Sequence, residues 1–337
     1  MHRLITAVIA VTIMSFPPAI LGFAVSFPSL IRPQISLKSS NRHDVDVDAI
    51  NCHRESDPSP ISRWGNSPYL AVLTEPDACT SIARIEETIR AIELATTDGG
   101  VNLVVLRVAD DPGGEYALHK WALLRSLAEM KNRRHFFLVV NDDVDIVLKA
   151  QSQNVTVDGV HVKERNAHLI PSIRNKLEHA VTCSFKGNDP IVKILIGTSC
   201  HSIQSAMKSY QLSPRGPDYL FVGTCYLTQS HPEKQTSDQL EGPSLPGGVK
   251  RKLFGMYNKK KHGIINGSTM YPQSTPTTPP VIFAIGGIDE QNCHEPVLKF
   301  DADGIAVIRT VMQAPDPREI VRRMKKVMHN EGLNLGG

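Results

Sequence analysis

From residue 69 onward the chain alternates short apolar runs with longer helical stretches, and this repetition restricts its fold more than any other feature. The runs at 69–74, 101–108, 135–141, 157–162, 193–200, 219–226, 281–285 and 303–310 are short and mostly apolar, and 281–285 is continuously so. Such runs suit parallel strands buried on both faces. Helical patterns follow at 81–95, 116–130, from 143, 167–180, 202–211, 290–300 and 316–327. Eight units of this kind predict a (β/α)8 TIM barrel, with a doubly wound open sheet as the alternative. A barrel places its chemistry on the loops at the carboxyl ends of its strands, and phosphates bind after the seventh and eighth.

The seventh run reads "VIFAIGGIDEQN", a strand that ends on Gly286 and Gly287 and passes at once into a helical pattern. Glycine there serves a turn, because it adopts positive φ without steric cost. It also lets bare backbone N–H groups approach an anion, and the barrel position favours that second use.

Bulk composition excludes several classes. Net charge is +3, aromatic residues are 6% of the chain, and no basic stripe is interleaved with aromatics; nucleic-acid binding is therefore not expected. The six cysteines contain no C-x-x-C pair, which gives neither a zinc site nor a disulfide framework and suits a reducing compartment. Cys200 and Cys225 lie in apolar runs and read as small buried residues.

The first 28 residues carry a basic start, an apolar run at 4–14 and a break at Pro17 and Pro18, the layout of a secretory signal and too interrupted for a stable membrane span. The following stretch has Ser, Arg and Lys but no acid before Asp44. The pair resembles a bipartite plastid presequence, with plain secretion as the alternative. Residues 44–60 read as a linker. The expected organisation is thus a presequence and linker over 1–65 and a barrel over 66–330. An insertion at 230–280 interrupts the barrel. Its basic run "KRKLFGMYNKKKHG" is expected as a solvated loop rather than a lid over phosphate.

Four stretches in order, "VVNDDVD", "VDGVHV", "ILIGTSCHSIQSAM" with "PDYLFVG", and "VIFAIGGI" with "ADGIAVIRTVM", make the barrel resemble the thiamine phosphate synthase / TenI family. The resemblance implies phosphorylated thiazole and pyrimidine ligands. Gly286 and Gly287, with the backbone of Ile308 and Arg309, match its phosphate cradle, although Arg309 stands where synthases usually have Ser. Asn141 and Asp142 match its Asn-Asp pair, which makes Asp142 the candidate magnesium ligand. The second metal carboxylate is replaced by Asn166. The family's Q-x-R-x-K keeps only Arg107, with Val105 and Ala109 in the other places; Thr228 is kept and His231 replaces a lysine.

Ser199 is a ligand contact in either branch of the family, and His201 matches the histidine that TenI proteins use for proton transfer. These departures favour a TenI-like aminothiazole tautomerase or diverged enzyme. The alternatives are a synthase joining a pyrimidine pyrophosphate to a thiazole phosphate, and a non-catalytic thiazole-phosphate sensor. Assembly with further copies of the chain stays open.

Overall fold

The computed structural model describes residues 64–109, 114–184, 194–212, 215–229, 233–234, 236–261 and 278–329. All lie in the compact unit Ser59–Gly337. The presequence, with its plastid or secretory reading, and His231 fall outside the described residues.

Eight parallel strands close into a ring in sequence order. They are β1 (Tyr69–Leu73), β2 (Leu103–Leu106), β3 (Phe137–Asn141), β4 (Gly159–Val162), β5 (Leu195–Cys200), β6 (Tyr219–Val222), β7 (Val281–Ile285) and β8 (Gly304–Val307). Closure is made by β8 against β1, with Leu70 opposite Ile305 and Val72 opposite Val307. The TIM barrel is the observed fold, and the open sheet is not.

Helices α1 (Ile82–Ala95), α2 (Gly114–Arg134), α3 (Val144–Ser152), α4 (Ile170–Ser184), α5 (Ile203–Tyr210) and α6 (Leu245–Lys261) follow the first six strands in turn. Their starts are legible in the caps. Ser81 accepts from the Arg84 N–H, Asp143 from that of Ile146, and Ser202 and Ser205 form a reciprocal capping box. After β7 the expected helix at 290–300 is only one π-helical turn, Glu295–Lys299, because Pro296 removes a backbone donor there. After β8 come α7 (Arg309–Met312) and α8 (Pro317–Met328).

The basic run differs from expectation. It is no loop: "VKRKLFGMYNKKK" forms most of α6, the barrel's sixth helix. Val249 and Leu253 are buried with Ile282 and Leu220 of the sheet, while Lys250 reaches Asp301 and Asp303 ahead of β8. Arg251, Lys252 and Lys259 are exposed because the apolar positions at four-residue spacing claim the inner face. A helix held to the barrel flank in this way is not a lid.

Outward-facing strand residues and the helices form the larger core, and the inward ones fill the barrel. Gly197 makes room inside, since a Cβ there would meet the Tyr219 ring at 2.0 Å. Trp64, which the sequence reading leaves in the linker, belongs to this interior. It is 3% exposed and packs against Tyr69, Phe137, Tyr219 and Phe283 at centroid distances of 5.4–5.9 Å. Asn102 fixes it by donating to the Trp64 carbonyl and accepting from the Leu70 N–H. Trp64→Ala is expected to cost about 3–5 kcal/mol of stability, read as a lowered denaturation midpoint.

Candidate functional site

The carboxyl ends of the strands surround a cavity of about 460 Å³. Each strand contributes: Leu73 from β1, Arg107 after β2, Asn141 on β3, His161 on β4 and Lys163 after it, Ser199 on β5 and His201 after it, Thr224 and Thr228 after β6, Gly286 and Gly287 after β7, and Ile308 and Arg309 after β8. Arg107, Asn141, Ser199, His201, Thr228, Gly286, Gly287, Ile308 and Arg309, singled out from sequence, line it; Asp142, Asn166, Val105 and Ala109 do not.

The two glycines answer to packing and to the cavity together. Their φ values are +101° and +65°, a region that side chains disfavour. A Cβ on Gly286 would stand 2.6 Å from Thr224 Cγ2, and one on Gly287 2.4 Å from the Leu227 carbonyl oxygen. The loop after β6 presses on them because Cys225 N donates to Ile285 O and Tyr226 N to Gly286 O. Asn292 Nδ2 donates to Gly287 O, and Thr310 Oγ1 to Ile288 O. The carbonyls are thus turned into the protein. Among the described residues no protein acceptor meets the N–H of Gly286, Gly287, Ile308 or Arg309. Backbone donors gathered at one cavity wall make an anion cradle.

Two guanidiniums add fixed charge. Burial, and then the charge of Arg309 on the same cavity, push Arg107 below its ordinary pKa. Among the described residues neither arginine has an ion-pair partner, though both face the cavity. Arg309 lines the same cavity as the glycines.

The opposite wall holds His201 between two carboxylates, with Nε2 3.8 Å from Glu164 Oε2 and Nδ1 3.6 Å from Glu241 Oε1. Glu241 also accepts from Lys234 Nζ and from the Thr224 N–H. Burial by itself would raise its pKa, but these donors win and hold it below the usual carboxylate range. Glu241 was not found from sequence because it lies in the insertion, where no strand or helix pattern announces it.

Beneath the cavity runs a buried relay. His161 Nε2 is 2.9 Å from Ser199 Oγ, and its Nδ1 is 3.2 Å from the Tyr219 hydroxyl. Burial, before any charge effect, pushes His161 down to about 3 and raises Tyr219 well above its ordinary value. Both are therefore neutral at pH 7. With the phenol assigned as donor to Nδ1, Nε2 carries the ring proton and donates to Ser199, whose own hydroxyl hydrogen is then available to the cavity. His161 orients Ser199 and is no base.

The magnesium reading fares differently. Asp142, at φ 54°, is not among the residues that line the cavity. Its oxygens are taken by donors: Lys163 Nζ at 3.3 Å, Asn166 Nδ2 at 3.2 and 3.4 Å, and the Lys163 N–H at 3.4 Å. Magnesium needs oxygen ligands in near-octahedral array, and here an ammonium and an amide NH2 stand where they would be. Two unit charges repel by about 4 kcal/mol at 4 Å and an effective dielectric of 20, and a divalent ion beside the ammonium doubles that. Among the described residues no group of three or more His, Cys, Asp or Glu is placed to hold a metal ion. These residues do not fit the cation.

Comparison with known proteins agrees with this architecture. The sequence model of a family described as thiamine monophosphate synthase matches residues 70–243. A thiamine-phosphate synthase of Geobacillus kaustophilus is 31% identical over 221 residues, 66% of this chain and 76% of the relative. One from Mycobacterium sp. (strain JLS) is 30% identical over 255 residues, 74% of this chain and 90% of the relative. Among solved structures, thiamine phosphate pyrophosphorylase from Pyrococcus furiosus superposes with a TM-score of 0.51 at 19% identity, covering 78% of this chain and 96% of that one, a likeness of fold.

Two outcomes are expected. Gly287→Ala places a Cβ against the Leu227 carbonyl at positive φ, which is expected to cost about 1–3 kcal/mol of stability and to weaken inorganic phosphate binding measured by calorimetry. His161 refuses in the fold the proton that the unfolded chain takes near pH 6.5, so stability is full above that pH and is lost as pH falls toward about 3. Melting temperatures of His161→Asn should consequently fall less steeply on acidification than those of the native chain.

Proposed function

Because the chain belongs to the thiamine monophosphate synthase family, we propose that it works in thiamine biosynthesis by joining a pyrimidine pyrophosphate to a thiazole phosphate, with release of pyrophosphate. The relatives carry the synthase name, so this alternative fits better than the tautomerase reading that the sequence departures favoured. The observation that carries it is the pair Arg107 and Arg309 beside the glycine cradle, a positive wall in a cavity large enough for two small phosphorylated rings.

In this reading the amides of Gly286 and Gly287, with those of Ile308 and Arg309, hold the thiazole phosphate. Arg107 and Asn141 hold the pyrophosphate end, and Ser199 and Thr228 orient the rings. As the bond to pyrophosphate breaks, its electron pair leaves with the departing oxygen while the new bond forms to the carbon it vacates. The charge that builds on the leaving group is met by fixed guanidinium and backbone dipoles, which need no reorganisation in a partly dry site. Plastid import through residues 1–43 belongs to the same proposal.

His201 supports a second reading. A histidine between Glu164 and Glu241, lining the cavity, is built to move a proton, which is what a tautomerase needs. Incubation of the full chain with both substrates decides. Thiamine phosphate and equimolar pyrophosphate are expected, with Arg107→Ala lowering turnover by about 10²-fold or more. Conversion of a thiazole carboxylate phosphate alone, abolished by His201→Ala, would instead establish the tautomerase, and phosphate binding without either turnover a sensor.

A further inference from the structure

We propose that Lys325 is a reactive amine in a second, cationic cavity at the amino-terminal end of the barrel, a site at which acyl phosphates modify the chain. The inference goes beyond the proposed function, and this cavity shares no residue with the candidate site.

The cavity, of about 360 Å³, lies between α8 and the turn that joins α1 to β2. Asp98 and Gly100 line it from the turn, and Arg318, Arg322, Lys325 and Lys326 from α8. The half-buried Lys325 packs its stem against Gly100, where an added Cβ would stand 3.7 Å from Lys325 Cγ. Its Nζ donates to the carbonyl of Pro68, ahead of β1, at 2.7 Å. The nearby carboxylates are engaged by other groups. Asp98 accepts from Arg318 Nε and Nη2 and also feels Arg134, and Glu319 accepts from Arg322 Nε and Nη2 and pairs with Arg323. Asp316 accepts from the Glu319 N–H, and His329 Nδ1 donates to the Lys325 carbonyl. A half-buried ammonium whose partner is a carbonyl gives up its proton more readily than one in water. Burial alone moves Lys325, down to about 8. Free amine is therefore present at mildly alkaline pH, and the bond to Pro68 uses a hydrogen and leaves the nitrogen lone pair.

The same cavity suits the leaving group. Arg318 and Arg322 each spend Nε and Nη2 on a carboxylate, and the Nη1 of each meets no acceptor among the described residues. With the exposed Lys326 they offer donors and charge to a phosphoryl group. In the reaction the Lys325 nitrogen attacks the acyl carbon and a C–N bond forms. The bond from that carbon to the phosphate oxygen breaks, and its electron pair leaves with the phosphate. The proton lost by nitrogen ends on the departing phosphate, so an amide and hydrogen phosphate result and nothing is oxidised or reduced.

The test is incubation of the full chain with acetyl phosphate across the neutral to alkaline range, with acylation of each lysine followed by peptide mass spectrometry. At mildly alkaline pH, Lys325 is expected to react about tenfold faster than the exposed Lys252 and Lys259. Its rate should level off above about 8, whereas an ordinary lysine gains free amine up to about pH 10.4. Inorganic phosphate should slow Lys325 and not Lys252 or Lys259. Arg318→Gln together with Arg322→Gln should slow its reaction with acetyl phosphate by about threefold or more, and leave its reaction with uncharged acetylimidazole unchanged. The proposal is overturned if Lys325 reacts no faster than the two exposed lysines, if its rate climbs without levelling, if phosphate does not protect it, or if the arginine changes do not slow it or slow both reagents alike. Both arginines are exposed, and melting curves confirm that the variant is folded. Should it not be, the rate, pH profile and phosphate protection of the native chain decide alone.

Discussion

Closure of the strand ring fixes where every other feature can be. Because β1 pairs with both β2 and β8, all eight carboxyl ends converge on one rim and no edge strand is left to solvent. Residues distant in sequence, such as Arg107 and Arg309, come to line one cavity only through that convergence. The opposite mouth is filled by Trp64 and its ring of aromatics, so the cavity opens on one side. Loop backbones then lock to one another at the rim. The β6 loop clamps the β7 glycines, and Thr310 ties the segment after β8 to Ile288. The anion cradle is a by-product of these ties, which turn carbonyls inward and leave amides facing the cavity.

The strands were legible because burial on both faces demands mostly apolar runs. The caps at Ser81, Asp143 and Ser202 were legible too, since each is a short polar side chain ahead of a periodic stretch. Sixth-helix assignment failed for a physical reason. The run "KRKLFGMYNKKK" has so many lysines that solvation dominates its composition, yet Val249 and Leu253 suffice to seat one face on the sheet. Composition reports the outer face of such a helix, and packing is decided by the inner one.

At the site, residues tied to strand ends were found and those supplied by loops were not. Gly286, Arg107, Ser199 and His201 each follow a recognisable strand, so the barrel itself predicts their convergence. Glu241 reaches His201 from a segment with no such anchor. Lys163 was in plain view after "VDGVHV", but nothing in a one-dimensional pattern says that a lysine will fold back on Asp142, twenty-one residues away in the chain. His161 illustrates the reverse case. Its place in a buried strand marks it as a core histidine, and the structure adds what sequence does not carry, the direction in which it passes a hydrogen bond to Ser199.

The departures from the family pattern then take a coherent form. Loss of a single carboxylate or lysine from a site built around a divalent cation would leave charge unbalanced and cost several kcal/mol in a partly buried setting. In this chain the changes run both ways: Asn166 removes a negative charge and Arg309 adds a positive one where a small hydroxyl residue is usual, while Ala109 and His231 stand where the pattern has lysines. The positive charge that the described rim keeps beside the glycine cradle is that of Arg107 and Arg309, which line one cavity. Decay of an unused site has no reason to keep two arginines on one cavity against their mutual repulsion. Two like charges retained on one cavity are what an anion site requires, and they argue for a barrel that still handles phosphate esters.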